Sequence, residues 1–171
     1  MGTIPVPVTH TYYDFMLKKK ETLLLNKLLR WFEQNLNPSQ QSSSEHTLKI
    51  ATAVMFYEII RADHKIDEQE LTLLRQLLSD SFSLSTDELN ELMQSAKDYA
   101  EEAVDMVQYT RVINEQCSRE QKQQFILQLW QLAYADQALD GHEELLIRKI
   151  SDLIYLNHSD YIQAKLKVVP A

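Results

Sequence analysis

Glycine is nearly absent from this chain: of 171 residues, only Gly2 and Gly141 are glycine. Hairpin turns, β-bulges and phosphate-binding loops draw on glycine for positive φ or for close backbone approach to a ligand. A chain so poor in it is expected to be helical, and sheet folds and nucleotide-phosphate cradles are not expected. No segment shows the alternation of β-branched residues that marks a half-buried strand. Even Leu23, Leu24 and Leu25 sit inside a helical period.

Hydrophobic residues make up 44% of the chain, enough to build the core of one compact domain or of two small repeats sharing a core. The single cysteine, Cys117, excludes an internal disulfide framework, and no secretory leader pattern precedes the first charged residues. A reducing cytoplasm is therefore the expected compartment. No run reaches the ~18–20 apolar residues that span a bilayer. The formal net charge of −8 is uneven: residues 1–37 hold five basic and three acidic groups, and residues 38–171 hold twelve and twenty-two. Phosphate backbones and anionic lipid surfaces are bound by neutralising lysines and arginines, so nucleic acid is not an expected partner and any membrane association would be indirect. Proteins are the expected partners, a second copy of this chain among them.

Residues 1–45 read as an arm, a helix and a linker. Met1 to Val8, with Pro5 and Pro7, is extended, and Val6 stands where a myristoylation signal needs Ser or Thr. From about Thr11, Leu17, Leu24, Leu25, Leu28, Leu29 and Phe32 recur at helical spacing beside Lys18 to Lys20, which predicts an amphipathic helix packed on the domain. Trp31 and Phe32 are a candidate partner surface, with core packing as the simpler expectation. Asn35 to Glu45, rich in Ser and Gln, reads as a polar linker. Residues 46–171 form the main domain, an all-α bundle with helices expected at about 46–62, 67–82, 85–101, 103–115, 118–135, 140–155 and 158–168. Their start signals are Asp67 with Glu70, Ser85 with Glu88, Ser118 with Gln121, Asp140 with Glu143, and Ser159 near the last helix.

Aligned with itself at an offset of 73 residues, the chain superposes Ala62 to Glu70 on Ala135 to Glu143, both reading A-D-x-x-[IL]-D-x-x-E. The flanks match as well: Ile59 with Leu132, Leu74 with Ile147, Leu77 with Ile150. Each copy is expected to be a helix, a tight acidic loop and a second helix, giving two related hairpins docked face to face. Asp67 and Asp140 are N-caps, and Glu70 and Glu143 close the capping boxes, a complete structural role worth ~1 kcal/mol per cap. Asp63 and Asp136 need more explanation. In the last turn of a helix a carboxylate faces the negative end of the dipole, at a loss of ~0.3–1 kcal/mol. Either an Asx-type bond to loop N–H groups or a cation shared with Asp67 and Asp140 would offset it.

A carboxylate cluster without thiolates suits hard, oxygen-seeking cations, Ca²⁺ or Mg²⁺ rather than Zn²⁺. The twelve-residue EF-hand pattern is missing, E-x-x-H and H-E-x-x-H do not occur, and His64 and His142 occupy non-equivalent repeat positions, as surface histidines would. Cys117 has no histidine near it in sequence and reads as a structural thiol. The tyrosines are scattered and define no site, although Tyr57 and Tyr134 are close enough in sequence to the acidic motifs to orient carboxylates. No general acid–base constellation is present, and an enzyme is not expected.

The segment from Phe125 to Ile154, with its LWQLAYADQALDGHEELLIRKISDLI core, resembles the second half of TerB-like tellurite-resistance domains, and Ile59 to Glu70 resembles their first acidic motif. The resemblance covers about residues 46–165. It implies a compact all-helical domain associated with tellurite and other chemical stress, binding metal through Asp63, Asp67 and Glu70 in one loop and Asp136, Asp140 and Glu143 in the other, with Glu144 assisting. The family commonly has glycine directly after the first aspartate; here His64 and Gln137 stand there, which predicts either a strain of about 1 kcal/mol or a loop that leaves the left-handed conformation. Two functions follow: a non-catalytic cytoplasmic module holding a divalent cation in a stress response, or an interaction adaptor whose carboxylates are only helix caps.

Overall fold

The computed structural model describes residues 40–102 and 105–170, with side chains from residue 43 onward. The arm, the helix predicted over residues 11–32, Trp31, Phe32 and most of the linker lie outside the described residues. Among the described residues there are seven α-helices and no strand: α1 (Gln40–Ile60), α2 (Glu68–Phe82), α3 (Thr86–Glu101), α4 (Met106–Gln116), α5 (Arg119–Ala133), α6 (Gly141–Leu153) and α7 (His158–Val168). The all-α expectation holds, and residues 44–171 form one compact unit.

Helix α1 begins six residues earlier than the periodicity predicts. Its first turns take in Gln40 to Glu45, part of the expected linker, although serines are mediocre helix formers. Two contacts override that preference: Ser44 Oγ donates to Gln116 Oε1 at 2.9 Å, and Glu45 pairs with Lys49 one turn on at 2.7 Å. From Ile50 to Ile60 the helix has no polar face. Ala51, Ala53, Val54, Met55, Phe56, Ile59 and Ile60 are all buried, as a central helix surrounded by others must be. Phe56 stacks on Phe125 of α5, ring centroids 5.5 Å apart, and α5 in turn packs on α2, α6 and α7. Helix α3 lies on α2, and α4 on α6.

Local chemistry sets where the helices start. Capping boxes close at Asp67/Glu70, Ser85/Glu88, Ser118/Gln121 and Asp140/Glu143. The last helix is capped by Asn157 with Asp160, not by Ser159, and Asp105 caps α4 through the Val107 N–H. Helix α7 is fixed to α5 by Trp130, fully buried against Tyr161 at 5.4 Å, and by Asp160, which accepts from Arg119 and Gln123 at 2.8 and 2.7 Å. Burial would raise the Asp160 carboxyl, but those bonds outweigh it and hold it below the usual range.

Candidate functional site

The two acidic loops, 61–67 and 134–140, make the same hydrogen bonds at an offset of 73. Asp63 Oδ1 accepts the Lys65 N–H at 2.8 Å, and Asp136 Oδ1 accepts the Ala138 N–H at 2.8 Å. These are the Asx-type bonds that compensate an acid at the negative end of a helix. Asp67 Oδ1 takes the Gln69 N–H and Asp140 Oδ1 the His142 N–H, both at 2.7 Å. Glu70 and Glu143 accept the N–H of their caps at 2.9 and 3.1 Å. His64 and Gln137 keep the left-handed conformation, at φ 65° and 67°. Of the two outcomes open in the sequence, the loops therefore take the strained one and do not shift.

What the spacing does not reveal is that both glutamates are buried, Glu70 at 6% and Glu143 at 3% exposure. Capping-box glutamates usually sit at the surface, so burial is the unusual element here. Desolvation pushes the Glu143 carboxyl up to about 8, and the charges of Glu70, Asp63 and Asp140 push the same way against the Asp140 N–H bond. Glu70 is also raised, by burial first and then by Asp63, Asp136 and Asp67. Each glutamate thus feels a carboxylate of the opposite loop, and the loops share one open depression of about 370 Å³ lined by Asp63, Asp67, Glu70, Asp136 and Asp140 together with Lys65.

The family model described as "Tellurite resistance protein TerB" matches residues 49–166. The chain belongs to the TerB family. No curated protein and no solved structure gives a match.

In this TerB domain five of the six sequence-predicted ligands line one depression; Glu143 is buried and not part of its lining. All six are oxygen donors, and each carboxylate has an oxygen beyond the one that accepts its backbone N–H. The donor set therefore fits a hard cation. Among the described residues, however, no three His, Cys, Asp or Glu are gathered so as to hold an ion.

Other expected participants are engaged elsewhere. Glu144 accepts from Lys165 at 2.7 Å and from the Tyr161 hydroxyl at 3.2 Å, on the α7 side. His142 Nδ1 lies 2.9 Å from Asp140 Oδ1, and the two bonds from His142 hold the Asp140 carboxyl below its usual range. Among the described residues, neither the Tyr57 nor the Tyr134 hydroxyl bonds a loop carboxylate. Cys117 closes α4 half-buried, and burial raises its thiol, opposite to the activation of a nucleophile.

Proposed function

We propose that this TerB domain is a non-enzymatic cytoplasmic module that binds a divalent cation, Ca²⁺ or Mg²⁺ in preference to Zn²⁺, through Asp63, Asp67, Glu70, Asp136, Asp140 and Glu143, as part of a tellurite or chemical stress response. One observation carries the reading. Glu70 and Glu143 are buried, and the charges of the aspartates of both motifs bear on them; like charge on buried carboxyls calls for either a proton or a cation. A bound cation would supply electrostatic compensation. Ligation would need the free carboxylate oxygens to turn toward one another, while the backbone bonds keep the loops in register.

A second reading has its own support. Every one of the six carboxylates already accepts a backbone N–H, so all six are explained as loop and cap residues of an interaction adaptor. Calorimetric titration with Ca²⁺, Mg²⁺ and Zn²⁺ separates the two, using an Asp63→Asn/Asp136→Asn variant. Asparagine keeps the acceptor for the loop N–H and removes only the charge. The cation reading expects saturable heat and a raised Tm in the parent protein, about 2.7 kcal/mol of added stability at a hundredfold excess over Kd, with both lost in the variant. Absence of heat and of any Tm shift with all three ions leaves the adaptor.

A further inference from the structure

The two loops that frame the acidic depression make the same hydrogen bonds but bring different charges to it. At an offset of 73, Lys65 and Ala138 stand at the same point of their loops, and both line the depression. Each has its backbone N–H bound to an aspartate Oδ1, of Asp63 and Asp136, at 2.8 Å. The Cα of Lys65 is therefore held beside the depression by the same contact that holds Ala138. Its side chain is exposed, and its ammonium pairs with no carboxylate of the described residues. Among the residues lining the depression, Lys65 is the one base against five carboxylates. Its flexible four-carbon stem leaves the charge free to move over them.

We propose that Lys65 is a built-in competitor for the divalent cation of the depression, an inference that rests on the cation reading above. Its charge weakens binding, so that the depression loads only when the ion is abundant and empties readily. The second loop, with Ala138, has no counterpart. A unit charge about 8 Å from a divalent ion, in water-like surroundings, weakens binding about fivefold at low salt, and the effect vanishes when the Debye length shrinks to about 3 Å at 1 M. Lys65 thus acts on affinity without being a ligand, and its influence carries a salt dependence that a role in holding the loop would not.

The test is calorimetric titration of the full chain with Ca²⁺ and with Mg²⁺, at about 10 mM and about 1 M monovalent salt. Lys65→Met keeps most of the stem and the backbone bond to Asp63, and Ala138→Lys copies the charge into the second loop. Lys149→Met makes the same change of net charge at a residue that lines the neighbouring groove and not the depression, nine residues or ~13 Å along α6 from Asp140. Circular dichroism verifies that each variant is folded. At low salt Lys65→Met should bind about fivefold more tightly than the parent, Ala138→Lys more weakly by a similar factor, and Lys149→Met within about twofold; at 1 M the differences should disappear. Saturable heat in Lys65→Met with none in the parent would be the strongest form of the same result. Equal affinity in the parent and Lys65→Met, a gain that persists at 1 M, or the same gain from Lys149→Met would overturn the role of Lys65 and leave the cation reading standing. No saturable heat in either protein would remove the cation reading, and this proposal with it.

Discussion

The loops ending at Glu70 and Glu143 share their hydrogen bonds but not their electrostatics. The first carries a cation, Lys65, where the second has Ala138, and the first helix opens on Glu68 where the second opens on Gly141. Glu143 is the more deeply buried of the two glutamates, and its carboxyl is pushed up to about 8. Backbone geometry in such loops is thus set by the short pattern of Asp, Asp and Glu, whereas the state of charge is set first by burial and then by the neighbouring carboxylates, some of them across the gap. Both glutamates are raised, Glu143 to about 8.

The largest expected effect tests that difference directly. The unfolded chain ionises Glu143 near 4.5, while the folded domain keeps it protonated to about 8. A raised carboxyl pKa contributes stability that is full below 4.5 and is lost as pH climbs through 8. Urea unfolding should therefore show stability falling by on the order of a few kcal/mol between those values. Glu143→Gln, which keeps the acceptor for the Asp140 N–H, should flatten most of that slope; Glu70→Gln should flatten less of it. Excess Ca²⁺ at pH 8 should restore stability in the parent and not in Glu143→Gln. An unchanged slope in Glu143→Gln would show that the glutamate ionises freely in the folded state.

Next in size is removal of the loop acceptors. Asp63→Ala and Asp136→Ala each strand a loop N–H and should cost about 1 kcal/mol, with the Asn variants close to the parent. Chemical denaturation of the four variants shows whether the loops are equivalent: a loss several times larger in one would mean its aspartate holds more than the turn. A smaller effect of opposite sign is expected from His64→Gly and Gln137→Gly. Both residues sit at positive φ, and glycine removes a strain of ~1 kcal/mol less its own unfolded-state entropy, for a net gain of roughly 0.5 kcal/mol in either loop. A loss would mean that the His64 or Gln137 side chain contributes packing of its own.

How much of this was legible in the sequence depended on how local the cause was. Four of the five capping boxes and the acidic repeat could be read because each is decided within four residues. The start of α1 could not, because Ser44 is held by Gln116, seventy-two residues away. Asn157 went unread as a cap because Ser159 is an equally good cap type two positions on, and the Asp160 that completes the box is fixed by Arg119 and Gln123 of α5. The burial of Glu70 and Glu143 depends on the opposite loop, so their spacing gives only the cap. The exposure of Leu145 was hidden for a related reason. Leu145, Leu146 and Lys149 fit a core-facing stripe, and only the packing of α4 and α5 on other faces of α6 leaves Leu145 outside.

Gly141 offers a change of similar size and the most discriminating one. Its position in the second motif invites a conformational role, but it is the first residue of α6, its φ is not positive, and a Cβ there would meet nothing within 4 Å. Its freedom is therefore unused in the folded state. Gly141→Ala should stabilise the domain by ~0.4–1 kcal/mol through the unfolded chain, about 2–4 °C in Tm for a domain of this size. Gly141→Glu copies Glu68 of the first loop and adds a favourable charge at the helix N-terminus, but it also adds a carboxylate near one whose pKa burial already raises. The alanine variant should accordingly be the more stable of the two at pH 8, with the order narrowing or reversing in excess Ca²⁺. A glutamate variant that is the more stable at pH 8 without cation would mean that the second loop tolerates charge as well as the first, and that the asymmetry between them lies in burial alone.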